Sequence, residues 1–183
     1  VGMKEKDLDE VRKKFGMLFQ GAALFDSMTV AENVGLALHE HLRLKDDEIR
    51  KRVTERLEWV GLKGIEEQKP SWLCSGMKKR VGLARAIAMD PQFILYDEPT
   101  TGLDPVTADA INRLIRSLQK RLGVTSVVVA HDMTSAFHLP DRLAMLHGGK
   151  VVYVGTPDEV RHTDDAYVKQ FVEGSSEGPI QVL

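Results

Sequence analysis

The chain contains one cysteine, Cys74, in 183 residues. That excludes an internal disulfide and fits a reducing cytosol. It has no apolar run approaching the roughly 20 residues that cross a bilayer as a helix. It has no excess of either charge, since 25 basic against 27 acidic residues leave a net −2. No global basic field therefore argues for nucleic acid or an anionic membrane as partner. Internal repeats and low-complexity segments are absent. The opening "VGMKEKDLDEVRKK" is too charged for a secretory signal, and its valine start reads as internal to a longer chain. What is present is ordinary for a globular protein: 43% apolar and 28% charged residues, in a length that suits one domain or a core with one inserted subdomain.

The hydrophobic pattern changes along the chain. "KFGMLFQ" (14–20) is short, apolar and aromatic, and predicts a strand ending at Gln20. Thr29 with Glu32 makes a T-x-x-E capping box that opens a helix through about His41. In "DDEIRKRVTERLEWVGL", Ile49, Val53, Leu57 and Val60 fall on one helical face, with Gly61 as the stop. "KPSWLCSGM" reads as irregular and "MKKRVGLARAIAM" as a further helix. From Gln92 strands and helices alternate. "FILY" is an unbroken apolar run, as in a strand covered on both faces. Asp104 and Pro105 supply an N-cap and a first-turn proline for a helix whose buried stripe is Ile111, Leu114, Ile115, Leu118 and Leu122. "VTSVVVAH" is a β-branched strand ending on His131. "RLAML" and "KVVYVG" are two more strands around the turn "HGG". "TPDEV" starts a capped helix on Thr156, Pro157 and Glu159, and the tail "GSSEGPIQVL" is expected to be loose. This gives an α/β chain in which residues 30–89 form a helical subdomain inserted between residues 1–29 and 90–183 of a single α/β core.

Within that frame "FILYDEPTTGLDP" ends an apolar strand in two adjacent carboxylates, Asp97 and Glu98, followed by a turn and Asp104. A D-E pair at a strand end is by itself usually a pair of solvated acids, and a lone strand-end histidine or glutamine says little. Together and in order, however, these residues resemble the ATP-binding cassette (ABC) ATPases. "FILYDEPTTGLDP" is similar to that family's Walker B and D-loop segment, Gln20 to its Q-loop glutamine, "LCSGMKKRVGLARAIAMDP" to its signature helix, and His131 after "TSVVVA" to its switch histidine. The resemblance covers nearly the whole chain and implies a P-loop NTPase-like (RecA-like) parallel sheet.

It also implies roles. Asp97 would hold Mg2+ through a bound water, with Gln20 as a second oxygen donor, since hard cations prefer oxygen. Glu98 would position and deprotonate the attacking water, and Gln20 would touch that water. His131 would donate a hydrogen bond to the γ-phosphate, where charge builds up. Leu73, Cys74, Ser75 and Gly76 would present a helix N-terminus to the ATP of a partner subunit, and Asp104 would line the boundary of that head-to-tail dimer. The family's usual signature is L-S-G-G. Here Cys74 replaces the serine and Ser75 the first glycine; a thiol is a weak donor and a Cβ at the glycine position crowds the phosphate, so weakened activity is expected.

Other residues invite simpler readings. His39 and His41 lie two apart on a helix and point different ways, as on a solvated face. "KKR" (78–80) reads as the exposed side of the signature helix, and Trp59 and Trp72 as packing within the helical block, although Trp72 precedes the signature and would also suit a partner.

The stretch "LFQGAALFDSMTVAENVGLAL", with "LDPVTADAINRLI", resembles the Mla-type, lipid-transport branch. The resemblance implies a transmembrane permease docked near Gly21–Leu36 and a location peripheral to the inner membrane on its cytoplasmic face. The pattern G-x-x-x-x-G-K-[ST] does not occur in these 183 residues; family order places it ahead of Gln20. The chain is therefore expected to be a C-terminal portion with an incomplete core that binds ATP weakly alone. In this family the phosphate-loop strand lies between the His131 strand and "RLAML", so a rearrangement or another chain is expected to close that gap. Two alternatives stay open: a soluble ABC ATPase outside transport, and a non-enzymatic ABC-like interaction fragment.

Overall fold

A computed structural model describes residues 2–181. The chain divides into two compact units, one running to Ala130 and the other starting at His131. In the first, helix α1 (Glu5–Arg12) precedes strand β1 (Phe15–Leu18). The helix buries no residue and, at eight residues, is too short for a period to announce it. Arg12 Nη1 donates to Glu5 at 2.6 Å and to Asp9 at 2.8 Å along its surface.

Helix α2 (Val30–His41) starts on both halves of the expected capping box. The Glu32 amide donates to Thr29 Oγ1 at 3.1 Å, and the Thr29 amide donates to Glu32 Oε2 at 2.6 Å. Helix α3 (Asp46–Trp59) buries Ile49, Val53 and Leu57, and Gly61 at φ 73° lets the chain turn away after Val60. A single 3₁₀ turn (Pro70–Trp72) leads into helix α4 (Ser75–Ala86). That helix begins two residues ahead of the predicted Met77, so the signature segment is its first turn rather than an irregular lead. Strand β2 (Phe93–Asp97), helix α5 (Pro105–Leu122) and strand β3 (Thr125–Val129) complete the unit. Asp104 caps α5 by accepting from the amides of Val106 and Thr107, both at 3.0 Å, and Gly123 at φ 63° ends it.

The three strands form one parallel sheet in the order β1-β2-β3. Gly16 lies beside Ile94 and Ile94 beside Ser126. Strands β1 and β2, separated in sequence by the whole helical block, are thus neighbours. Helix α4 sits against β1 so closely that a Cβ on Gly16 would lie 2.1 Å from the carbonyl oxygen of Ala86, and one on Gly82 would lie 2.7 Å from Leu18 Cδ1. The core is Leu18, Val34, Leu38, Leu57, Val81, Leu83, Ile87, Ile94, Tyr96 and Ile111, all at most 1% exposed.

The expectation that "FILY" is covered on both faces is corrected. Ile94 and Tyr96 are buried, but Phe93 on the opposite face is partly exposed, as are Phe15, Met17, Val127 and Val129. Period-2 geometry sends alternate side chains to opposite faces, and only one face of this sheet is well covered. Phe15 and Phe93 stack across the other, centroids 5.0 Å apart.

The second unit contains helix α6 (Met133–His138), strands β4 (Leu143–His147) and β5 (Lys150–Gly155), and helices α7 (Pro157–His162) and α8 (Ala166–Glu173). Helices α6 and α8, of six and eight residues, are too short to show a period and were not predicted. The strands pair antiparallel around Gly148 and Gly149, at φ 56° and 74°, the backbone of a type I′ hairpin turn. The single-sheet expectation is therefore corrected as well. Strands β4 and β5 make their own two-stranded sheet, and among the described residues β3 pairs only with β2 and β4 only with β5. Among the described residues no strand other than β2 pairs with β3. A hairpin closes a loop of two residues, whereas a β3–β4 pairing must order a longer connection first.

The tail is not loose throughout. The Gln170 side chain accepts from the Ile180 amide at 2.6 Å and donates to the carbonyls of Ser175 and Ile180 at 3.2 and 2.9 Å. That ties the segment back onto α8 as far as Ile180; Val182 and Leu183 lie outside the described residues.

Candidate functional site

The ends of β1 and β2 lie side by side, because the strands are parallel and in register from Phe15/Phe93 to Leu18/Tyr96. Gln20 and Glu98, 78 positions apart, consequently meet. Gln20 Nε2 donates to Glu98 Oε2 at 2.7 Å, and Thr101 Oγ1 donates to the same oxygen at 2.9 Å. Asp97 ends β2, half-buried, opposite Val129 of β3. Glu98 follows at φ 45°, a left-handed conformation that is uncommon for a non-glycine residue and concentrates at functional turns. Its amide donates to Val129 O at 2.9 Å, which anchors the bend to β3.

Lys79 was missed. Far from being the solvated middle of "KKR", it is 4% exposed, and its Nζ donates to the carbonyl oxygens of Gln20 and, at 3.1 Å, of Glu98. Burial lowers the ammonium's pKa, and the charges of Glu98 and Asp97 oppose that shift. Arg80 likewise turns inward, donating to Val60 O at 2.7 Å. A run of three basic residues on a helix of period 3.6 necessarily points in several directions, so composition could not tell which of them is buried.

The first turn of α4 carries the signature residues. Leu73 is buried, and Cys74 is exposed. Cys74 occupies the N-cap and makes no side-chain cap hydrogen bond, which leaves the helix N-terminus to its backbone N–H groups. Gly76 is needed for space: a Cβ there would lie 2.9 Å from Thr107 Cγ2. Thr107 also donates its hydroxyl to Asp104 Oδ2 at 2.5 Å, which with the two cap bonds holds the Asp104 carboxylate below its usual pKa. Thr107 therefore links the signature glycine to the D-loop acid, a connection that no local pattern announces. A shallow cleft of about 150 Å3 runs between these segments, lined by Gln20, Gly21, Ser75, Lys78, Thr101 and Gly102 among others.

The loop after Gln20 is pinned from two sides. Arg85 donates to the carbonyls of Ala22 and Ala23, at 2.6 and 2.7 Å, both residues having positive φ. Buried Asn33 accepts from the Phe25 amide at 2.8 Å and donates to the carbonyls of Phe25 and Thr29 at 3.1 and 2.9 Å. Trp72 is 81% exposed, which corrects its assignment to the helical core, because the 3₁₀ turn carries it outward. Trp59 does pack within the first unit, between the guanidinium groups of Arg56 and Arg121, 3.9 and 3.7 Å from its ring centre.

His131 is exposed at the start of the second unit, just ahead of α6. His39 and His41 are exposed on α2, and among the described residues no group of three His, Cys, Asp or Glu side chains is arranged to hold a metal ion. Asp97 and the amide oxygen of Gln20, whose nitrogen donates to Glu98, are oxygen donors of the kind a Mg2+ ion prefers.

The ABC transporter family profile matches residues 2–101. The chain is 41% identical over 179 residues to the intermembrane phospholipid transport system ATP-binding protein MlaF of Haemophilus influenzae, covering 98% of this chain and 68% of that one. It is 42% identical over 175 residues to the probable ribonucleotide transport ATP-binding protein mkl of Mycobacterium leprae, covering 96% of this chain but 50% of that one. Among solved structures it resembles the dimeric ATP-binding cassette MJ0796 in a post-hydrolysis state with ADP and Pi, with a TM-score of 0.76 and 34% identity over 85% of this chain and 68% of that one. It also resembles cbiO1 of Clostridium perfringens, with a TM-score of 0.79 and 32% identity over 86% of this chain and 63% of that one. These likenesses establish the P-loop NTPase-like α/β fold expected from the motifs. This chain belongs to the ABC transporter family, among its ATP-binding proteins.

Proposed function

We propose that this chain is the catalytic-side portion of an ATPase subunit that drives phospholipid transport across a cell envelope, working as a dimer docked on a transmembrane permease. The observation that carries the hydrolytic part is the 2.7 Å hydrogen bond from Gln20 to Glu98. It brings the residue before the expected permease loop onto the acid suited to act on water. Glu98 would accept a proton from a water attacking the γ-phosphate, yielding ADP and phosphate, while Gln20 and Thr101 orient its carboxylate. His131 would stabilise charge on the phosphate oxygens. Leu73, Cys74, Ser75 and Gly76, with Asp104, would face the ATP of the partner copy. Mg2+ held by Asp97 and Gln20 would supply charge neutralisation of the phosphates.

The lipid assignment rests on the MlaF likeness together with the loop sequence at 18–38. The mycobacterial relative carries a different cargo in its name, and transport of labelled phospholipid against ribonucleotide by the reconstituted complex separates the two. No helix among the described residues is long and apolar enough to cross a membrane; attachment through the permease at Gly21–Leu36 on the cytoplasmic face accounts for a membrane role. Replacing Glu98 by Gln in the native complex is expected to lower turnover by about 100-fold or more and to trap an ATP-bound pair. Undiminished turnover would remove Glu98 from this role.

A further inference from the structure

Lys79 belongs to α4, the helix whose first turn is the signature segment, and it lines the same cleft as Ser75 of that turn. It is buried and donates to two backbone carbonyls, those of Gln20 and Glu98. Those residues are already joined through their side chains, so one cation closes a ring around the pair. Glu98 needs such support. Its left-handed backbone is one that persists only where its surroundings hold it, and both its backbone polar groups are held: the amide by Val129 of β3, the carbonyl by Lys79.

We propose that Lys79 is a positioning residue for hydrolysis. From the signature helix it fixes the backbone of the glutamine and the glutamate that act on this subunit's own ATP, so a displacement of the helix end presented to one nucleotide is transmitted to the acid serving the other. This inference rests on the catalytic reading of Gln20 and Glu98. Both charge and shape matter. A lysine stem reaches from α4 to the two strand ends and ends in three donors, enough for both carbonyls at once, whereas an apolar side chain of the same length fills the space and holds neither.

The test compares Lys79→Met with Lys79→Arg in the native complex. The methionine variant is expected to lose about tenfold or more in kcat, with KM within twofold, because a small misplacement of a catalytic group costs rate rather than binding. Arginine, which keeps charge and donors, is expected to restore at least half of the turnover. Amide hydrogen exchange within residues 19–24 and 97–102 is expected to accelerate in Lys79→Met and not in Lys79→Arg. A methionine variant with kcat within twofold of the parent, or with unchanged exchange in both segments, overturns the proposal. If Lys79→Met does not fold, Lys79→Leu, which likewise lacks a donor, carries the same expectations and the same refutation. Should Glu98→Gln retain full activity, the catalytic reading fails while the exchange result still reports whether Lys79 holds these two segments.

Discussion

Cys74 sits at the N-cap of α4 and leaves its side chain out of the cap. Serine is among the preferred residues at such a position, because its hydroxyl accepts from an amide of the first turn, while cysteine offers only a weak acceptor. Cys74→Ser is therefore expected to stabilise the helix by about 1 kcal/mol, raising the melting temperature by about 2–4 °C, and, on the proposed role of this segment toward a partner's ATP, to increase ATP turnover of the native complex. A melting temperature and turnover both unchanged would show that Ser75, one residue along, already supplies what the family serine does. The neighbouring residues divide sharply by legibility. Cys74 is visible in any reading of the signature, whereas Lys79 and Thr107 are not, because their importance comes from what lies across the fold.

At the scale of elements, the packing of α4 on β1 decides where Gln20 and Lys79 meet. Gly16 permits that packing, with the Ala86 carbonyl occupying the space a Cβ would need. Gly16→Ala forces the helix and strand apart and is expected to cost about 3 kcal/mol by chemical denaturation, at the upper end of the overpacking range. Gly21→Ala, where an added Cβ meets nothing within 4 Å, is expected to stay within about 0.5 kcal/mol of the parent. Equal effects at the two positions would rule out steric packing as the cause. The capping boxes at Thr29 and Thr156 and the Asp104–Pro105 helix start were legible because cap chemistry is local. Helix α1 and the two short helices of the second unit were not, since each lacks the length or the apolar stripe that a period requires.

For the whole molecule, the sheet brings acids and a glutamine together but provides no G-x-x-x-x-G-K-[ST] loop among these 183 residues. Backbone N–H groups and a lysine of that kind supply much of the grip on the β- and γ-phosphates in P-loop proteins. This chain alone is thus expected to bind Mg-ATP with a Kd weaker than about 100 μM, corresponding to less than about 5.5 kcal/mol, as measured by calorimetry. Micromolar, magnesium-dependent binding would show that the residues present suffice. The arrangement of the strands into two sheets belongs to this scale too. The run of valines at 125–129 predicts the strand, yet Val127 and Val129 are more than half exposed, because β-branched composition reports a preference for extended backbone and not what lies above it.

The linear order of residues sufficed to give the α/β class and, through the resemblance of the residues from Gln20 to His131 to ordered motifs, the family, because turn chemistry, caps and ordered motifs act over a few positions. The junction of Gln20 with Glu98, the inward course of Lys79, the tie between Gly76 and Asp104 through Thr107, and the separation of the strands into two sheets required the folded chain. Those are contacts across 19 to 78 positions in the case of Lys79 and Gln20 with Glu98, and no local preference encodes which distant backbone a side chain will reach.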